Sequence, residues 1–149
     1  MDRGQVAILA TRGTLVSGFY QDRMSAAGFG LCLPADTEFQ HCVDSAISLV
    51  KAGSIADAAI ETERALDIAQ AAGADAALLG CTELSVVAAS LNDVSGLVVI
   101  DSNAALARAC LTRLGFGAQD ARGLPTVSRL PGHERSLRAS PVRLAQPYG

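Results

Sequence analysis

The chain has 149 residues, half of them apolar and 18% charged, with a formal net charge of −3. That size and composition fit one domain with a packed core and argue against global disorder. The near-balanced charge gives no reason to expect a nucleic-acid partner, and with 4% aromatics and no Trp the chain is poorly supplied for base stacking.

In chain order, "QVAILAT" (Gln5–Thr11) is a short apolar run ending in a turn signal, and it reads as a buried parallel strand. From Thr14 the pattern turns helical, with Val16, Phe19, Tyr20, Met24 and Ala27 on one stripe and Gly28 as the stop. "FGLCLP" (Phe29–Pro34) is a second strand, closed by Pro34. Asp36 or Thr37 caps the next helix, whose stripe runs through His41, Val43, Ile47 and Val50 toward Gly53. Ser54 then caps a second helix, with Asp57 three residues on in capping-box position and Gly73 at its end. "DAALLG" (Asp75–Gly80) is a third strand, followed by a short helix from Thr82. "GLVVID" (Gly96–Asp101) is a fourth strand, and Asp101 or Ser102 caps a final helix through Leu114, stopped by Gly115.

Strands alternating with helices predict an α/β fold: a single lobe with a four-stranded parallel sheet flanked by helices. Ligands of such sheets bind beyond the carboxyl ends of the strands, which draws attention to Thr11–Thr14, Cys81–Glu83 and Asp101. The composition shifts near Gly115. Residues 1–115 carry 13 acids against 7 bases, whereas 116–149 carry five arginines against Asp120 and Glu134, along with four of the five prolines. The first span reads as the folded lobe and 116–149 as a disordered Pro/Gly/Arg-rich tail.

The four cysteines, Cys32, Cys42, Cys81 and Cys110, form no CxxC pair and no Cys/His cluster with zinc spacing. No signal-peptide pattern and no apolar run of membrane-spanning length are visible. The expectation is a cytoplasmic protein with reduced thiols, no metal and no membrane partner. Cys32, Cys42 and Cys110 read as packing residues. Cys81 differs, because it follows a strand and opens a helix in "LLGCTELS". A helix N-terminus lowers a thiol pKa and attracts a substrate carboxylate. A thiolate there suits proton abstraction alpha to a carboxylate. Thr82 offers a hydroxyl, and Glu83 either raises the thiol pKa or grips a substrate ammonium. A buried, unreactive cysteine is the competing reading of the same spacing. Lys51, the only lysine, either complements the dipole at the end of its helix or reaches a carboxylate.

"VAILATRGTLVSGFYQDRMSAAG", "VKAGSI", "GADAALLGCTELSVV" and "LVVIDSNAALARA", in that order, resemble the aspartate/glutamate racemase family over roughly residues 4–115. More loosely the family takes in hydantoin racemases, maleate isomerases and arylmalonate decarboxylases. The resemblance implies two similar α/β lobes with the active site between them, one cysteine from each lobe flanking the substrate's alpha carbon, and no cofactor. It makes Cys81 the second-lobe acid/base, with Thr11, Thr14, Lys51, Thr82 and Glu83 as substrate-binding positions. Many members carry a histidine shortly after the aspartate-serine pair, where Asn103–Ala107 has none. The first-lobe cysteine box has no counterpart in this chain. The resemblance therefore implies an isomerase on an acidic amino acid such as aspartate or glutamate, with a separately encoded first lobe or a second copy as partner and little or no activity in the chain alone. It also leaves Leu106, Ala107, Cys110 and Leu111 exposed on the final helix, where the family's first lobe would pack. A related single-cysteine decarboxylase or isomerase and a non-catalytic α/β module are the alternatives.

Overall fold

The computed structural model describes residues 3–34, 37–91 and 96–117. The strands are β1 (Gln5–Leu9), β2 (Gly30–Cys32), β3 (Ala76–Leu79) and β4 (Val98–Asp101). The helices are α1 (Arg12–Ser17), α2 (Phe19–Ala26), α3 (Thr37–Lys51), α4 (Ile55–Ala71), α5 (Thr82–Val87) and α6 (Ser102–Arg113), with one 3-10 turn at Ala88–Ser90. All strand pairs are parallel, in the order β2-β1-β3-β4. The predicted four-stranded α/β lobe is thus the observed one.

The apolar runs explain the sheet. Ala7 and Leu9 of β1 and Ala77 and Leu79 of β3 share one core with Phe39, Val43 and Ile47 of α3, Leu66 of α4 and Leu84 of α5. Val6, Ile8 and Leu78 point to the opposite face and are buried as well. Burial on both faces is why these strands lack a polar alternation. Thr62 is the one buried polar residue of the described core, and its hydroxyl donates to Ala58 O at 2.8 Å. A satisfied hydroxyl of this kind costs the core little.

Several local expectations change. The helix expected from Thr14 to Ala27 is two helices, because Gly18 sits at φ +71, ends α1 and starts α2. Its apolar stripe is not a core stripe: Val16 is 87% exposed and neither helix contains a buried residue. On α3 the buried face is Phe39, Cys42, Val43, Ala46 and Ile47, while His41 is exposed. Ser54 occupies the N-cap of α4 without a side-chain capping bond, so the expected capping box does not form. Asp101 does cap α6, accepting from the Asn103 and Ala104 N–H groups. Strand ends are shorter than the apolar runs by one to three residues, since pairing stops where the chain turns into a helix or loop. Asp36 and the proposed tail from 118 onward lie outside the described residues.

Cys32 and Cys42 are buried, as expected of packing residues. Cys110 is exposed, which departs from the packing reading and agrees with the exposed stripe the resemblance implies, because α6 turns only Ala104 fully into the lobe. Of the stripe expected to stand free on α6, Leu106 and Cys110 are exposed while Ala107 and Leu111 are half-buried. Leu114 and Phe116 extend the exposed apolar surface beyond the helix. No helix among the described residues is long and apolar enough to cross a membrane.

Candidate functional site

The strand order locates the site. From β1 the chain crosses to β2 on one side, then returns to place β3 on the other side of β1. The connections leaving β1 and β3 therefore diverge and leave a crevice at the carboxyl ends of the two strands. Leu9 pairs with Leu79 in register, and Gly80 N–H donates to Leu9 O at 2.8 Å. Thr11 and Cys81, each two residues past that pair, begin the two walls of the crevice.

On the β3 side, Cys81 is the N-cap residue of α5 and is half-buried. Its Sγ donates to Glu83 Oε2 at 2.9 Å, and the Thr82 hydroxyl donates to the same oxygen at 3.0 Å. Lys51 Nζ, from the last turn of α3, stands 3.7 Å from Glu83 Oε1. Four of the predicted residues, Lys51, Cys81, Thr82 and Glu83, thus form one linked cluster. On the β1 side, Thr11 caps α1: its hydroxyl oxygen accepts from the Thr14 N–H at 3.2 Å, and the two hydroxyl oxygens lie 3.0 Å apart. Thr11 and Thr14 bond to each other rather than to the Cys81 group.

The electrostatics decide between the two directions the sequence left open for the thiol. Cys81 is pushed up from the ordinary thiol value, not down: burial contributes most, and the hydrogen bond to the Glu83 carboxylate adds to it. The Glu83 backbone N–H and the Lys51 ammonium pull the other way without prevailing. A short helix offers at most about half a charge at its terminus, whereas the carboxylate is a full charge in contact with the sulfur. Glu83 is held down to about 2, first by the thiol it accepts from, then by its own backbone N–H and the Thr82 hydroxyl. The depressed carboxyl contributes stability that is present above the ordinary carboxylate range and is lost as the pH falls toward about 2. The raised thiol contributes stability that is present below the ordinary thiol value and is lost as the pH rises through the folded value.

Three supporting residues, Gln40, Asp44 and Ser85, carry no local signal in the sequence. Gln40 Nε2 donates to Ala10 O at 3.1 Å and to Asp44 Oδ1 at 2.8 Å, and Arg12 Nε meets Asp44 Oδ2 at 3.0 Å. These bonds tie the β1 exit to α3. Ser85 Oγ donates to Asp101 Oδ1 at 2.6 Å, tying α5 to the β4 exit. Ser85 lies inside the "GCTELS" box, yet nothing local in the sequence pairs it with a residue sixteen positions away.

Tyr20 of α2 closes over Gly80. A Cβ at Gly80 would lie 2.9 Å from Tyr20 Cε2 and 3.3 Å from Ala10 Cβ. Gly80→Ala should therefore destabilise the lobe by about 1–3 kcal/mol through overpacking. Urea denaturation checks this, and a wild-type midpoint would show that Tyr20 yields freely.

Among the described residues, no group of three or more His, Cys, Asp or Glu side chains could hold a metal ion. Fold and site together define an α/β lobe with a thiol–carboxylate cluster at the switch point of its sheet. The chain belongs to the Asp/Glu/Hydantoin racemase family, whose family model matches residues 1–110. It is also similar in structure to Picrophilus torridus aspartate racemase, with 27% identity and a TM-score of 0.59 over 78% of this chain and 48% of that one. The chain thus spans about half the length of that relative.

Proposed function

We propose that residues 1–115 supply one half of a cofactor-independent amino-acid racemase site, with Cys81 as its acid/base. The substrate class is an acidic amino acid, aspartate or glutamate. The observation that carries this reading is the Cys81–Glu83–Lys51 cluster at the β1/β3 crevice of a chain in this family. Thr82 lines the same wall and Thr11 and Thr14 the opposite one, where hydroxyls and the Lys51 ammonium suit substrate carboxylates.

Racemisation through two bases needs a second acid/base on the far face of the alpha carbon. Among the described residues, Cys32 and Cys42 are buried in the core and Cys110 lies near the end of α6, so Cys81 is the thiol at the crevice. The second base then comes from another lobe, whether a separate chain or a second copy. The exposed Leu106, Leu114 and Phe116 supply apolar surface for such a contact.

Exchange of the alpha proton of L-aspartate and L-glutamate, followed by NMR in deuterated buffer, tests the reading. The full chain with and without Cys81→Ser is the comparison. At alkaline pH, where the raised Cys81 thiol ionises and can take the alpha proton, exchange by the parent chain should fall by about 10²–10⁴-fold in the variant, the usual worth of a positioned acid/base. Equal exchange in both would sink the role of Cys81. Efficient L-to-D conversion by the chain alone would sink the half-site reading. The single thiol at the crevice also fits a one-cysteine decarboxylase of the broader family, and CO2 release from a malonate-type acid without alpha-proton exchange of amino acids would favour that reading.

A further inference from the structure

We infer that Glu83 is a positioning residue for Cys81: its carboxylate, shared with Thr82 and Lys51, aims the sulfur and keeps it as the proton-delivering thiol of the site. The inference rests on the reading of Cys81 as an acid/base and goes beyond it, because it gives the resting thiol a direction of proton transfer.

The division of labour on the carboxylate carries the argument. Oε2 takes both the thiol and the hydroxyl donor, the Cys81 S–H at 2.9 Å and the Thr82 O–H at 3.0 Å. Oε1 is left to Lys51 at 3.7 Å. A carboxylate accepts hydrogen bonds and cannot donate, so the proton between Cys81 and Glu83 must belong to sulfur while Glu83 is ionised. Loss of that proton would set a thiolate against a carboxylate, with like charges in contact and half-buried. Lys51 offsets this only partly, since its side chain is 65% exposed and well hydrated.

The charged groups acting on the sulfur are Glu83 on its own helix and Lys51 on α3. From α4, the face against α5 is Ala58 and Ala59 beside Val87, and Glu61 on that helix is paired with Arg64. At the β4 exit, Asp101 is turned to Ser85 and to the α6 amides. In the delivering step the S–H bond breaks and a C–H bond forms at the alpha carbon. The carbanion's electron pair takes the proton, and the former S–H pair stays on sulfur as thiolate. The resting site is then set for the enantiomer whose alpha hydrogen points away from this lobe.

Thiol alkylation tests the assignment without turnover. The full 149-residue chain is used with Cys110→Ser, because Cys110 is exposed and would react, whereas Cys32 and Cys42 are buried. The rate of Cys81 carboxamidomethylation by iodoacetamide is followed across the pH range by peptide mass. Glu83→Gln should shift the midpoint to lower pH and speed the reaction at neutral pH, about tenfold for each unit moved. Glu83→Asp should restore part of the parent profile. Lys51→Met should shift the midpoint to higher pH. A midpoint unmoved or raised in a folded Glu83→Gln chain overturns the inference. Should that variant fail to fold, Glu83→Asp decides alone, because the shorter arm draws the carboxylate back from the sulfur and a midpoint that does not fall overturns the inference equally. Alpha-proton exchange that the parent chain shows above its alkylation midpoint, and that Cys81→Ser leaves undiminished, sinks the acid/base reading instead, so the two failures are distinguishable.

Discussion

Leu79→Ala should lower the unfolding free energy by about 2–5 kcal/mol, the range for a large-to-small change at a fully buried leucine. Leu79 is 0% exposed and ends β3, where it pairs with Leu9 of β1 on one side and Asp101 of β4 on the other. Alanine keeps the backbone ladder, so the strand persists and the loss comes from the cavity beneath it. A small domain is stable by only about 5–15 kcal/mol, so the variant should approach the threshold of folding. Chemical denaturation should show a lower midpoint with an unchanged slope, the sign of lost stability without a change in the surface exposed on unfolding. A cost under about 1 kcal/mol would mean that α3–α5 collapse onto the sheet and that this core is looser than its burial indicates. The site should report the change too, because Cys81 lies two residues beyond Leu79 in the crevice the two strands frame.

What was legible follows from how local each signal is. The strands were legible because each is a short apolar run closed by a turn residue, and the end of α6 because Gly115 sits at φ +83 just past it. The box "GCTEL" was legible as a motif, whereas the links that join Lys51, Cys81, Thr82 and Glu83 are seen only in the structure. The strand order was not, since nothing local states that β3 pairs with β1 rather than with β2, and so the switch point had to come from the structure. Periodicity misled at α1 and α2: the 3.6-residue pattern runs through Gly18, while the backbone turns left-handed there. The thiol's direction stays open in the sequence, where the cap position lowers it and Glu83 raises it, because the sulfur's contact with the Glu83 carboxylate is a matter of rotamer and geometry. Gln40, Asp44, Ser85 and Asp101 act through contacts across 16 to 32 residues, beyond what spacing encodes.

Phe39→Ala should cost about 3–5 kcal/mol, as buried Phe-to-Ala changes do. Phe39 is 5% exposed in the first turns of α3 and joins Cys42, Val43, Ala46 and Ile47 on the face packed into the main core. His41→Ala is the matching control. It lies on the stripe the sequence suggested, yet it is exposed, so its change should stay within about 0.5 kcal/mol. Similar costs for the two variants would show that α3 is rotated from its observed setting. The rotation matters beyond stability, because the same helix presents Gln40 to the β1 exit and Lys51 to Glu83. A helix turned to bury His41 would carry Gln40 and Lys51 off both walls of the crevice. Phe39 thus holds the register on which the Lys51–Glu83–Cys81 cluster depends, and its loss should loosen the cluster before the lobe itself unfolds.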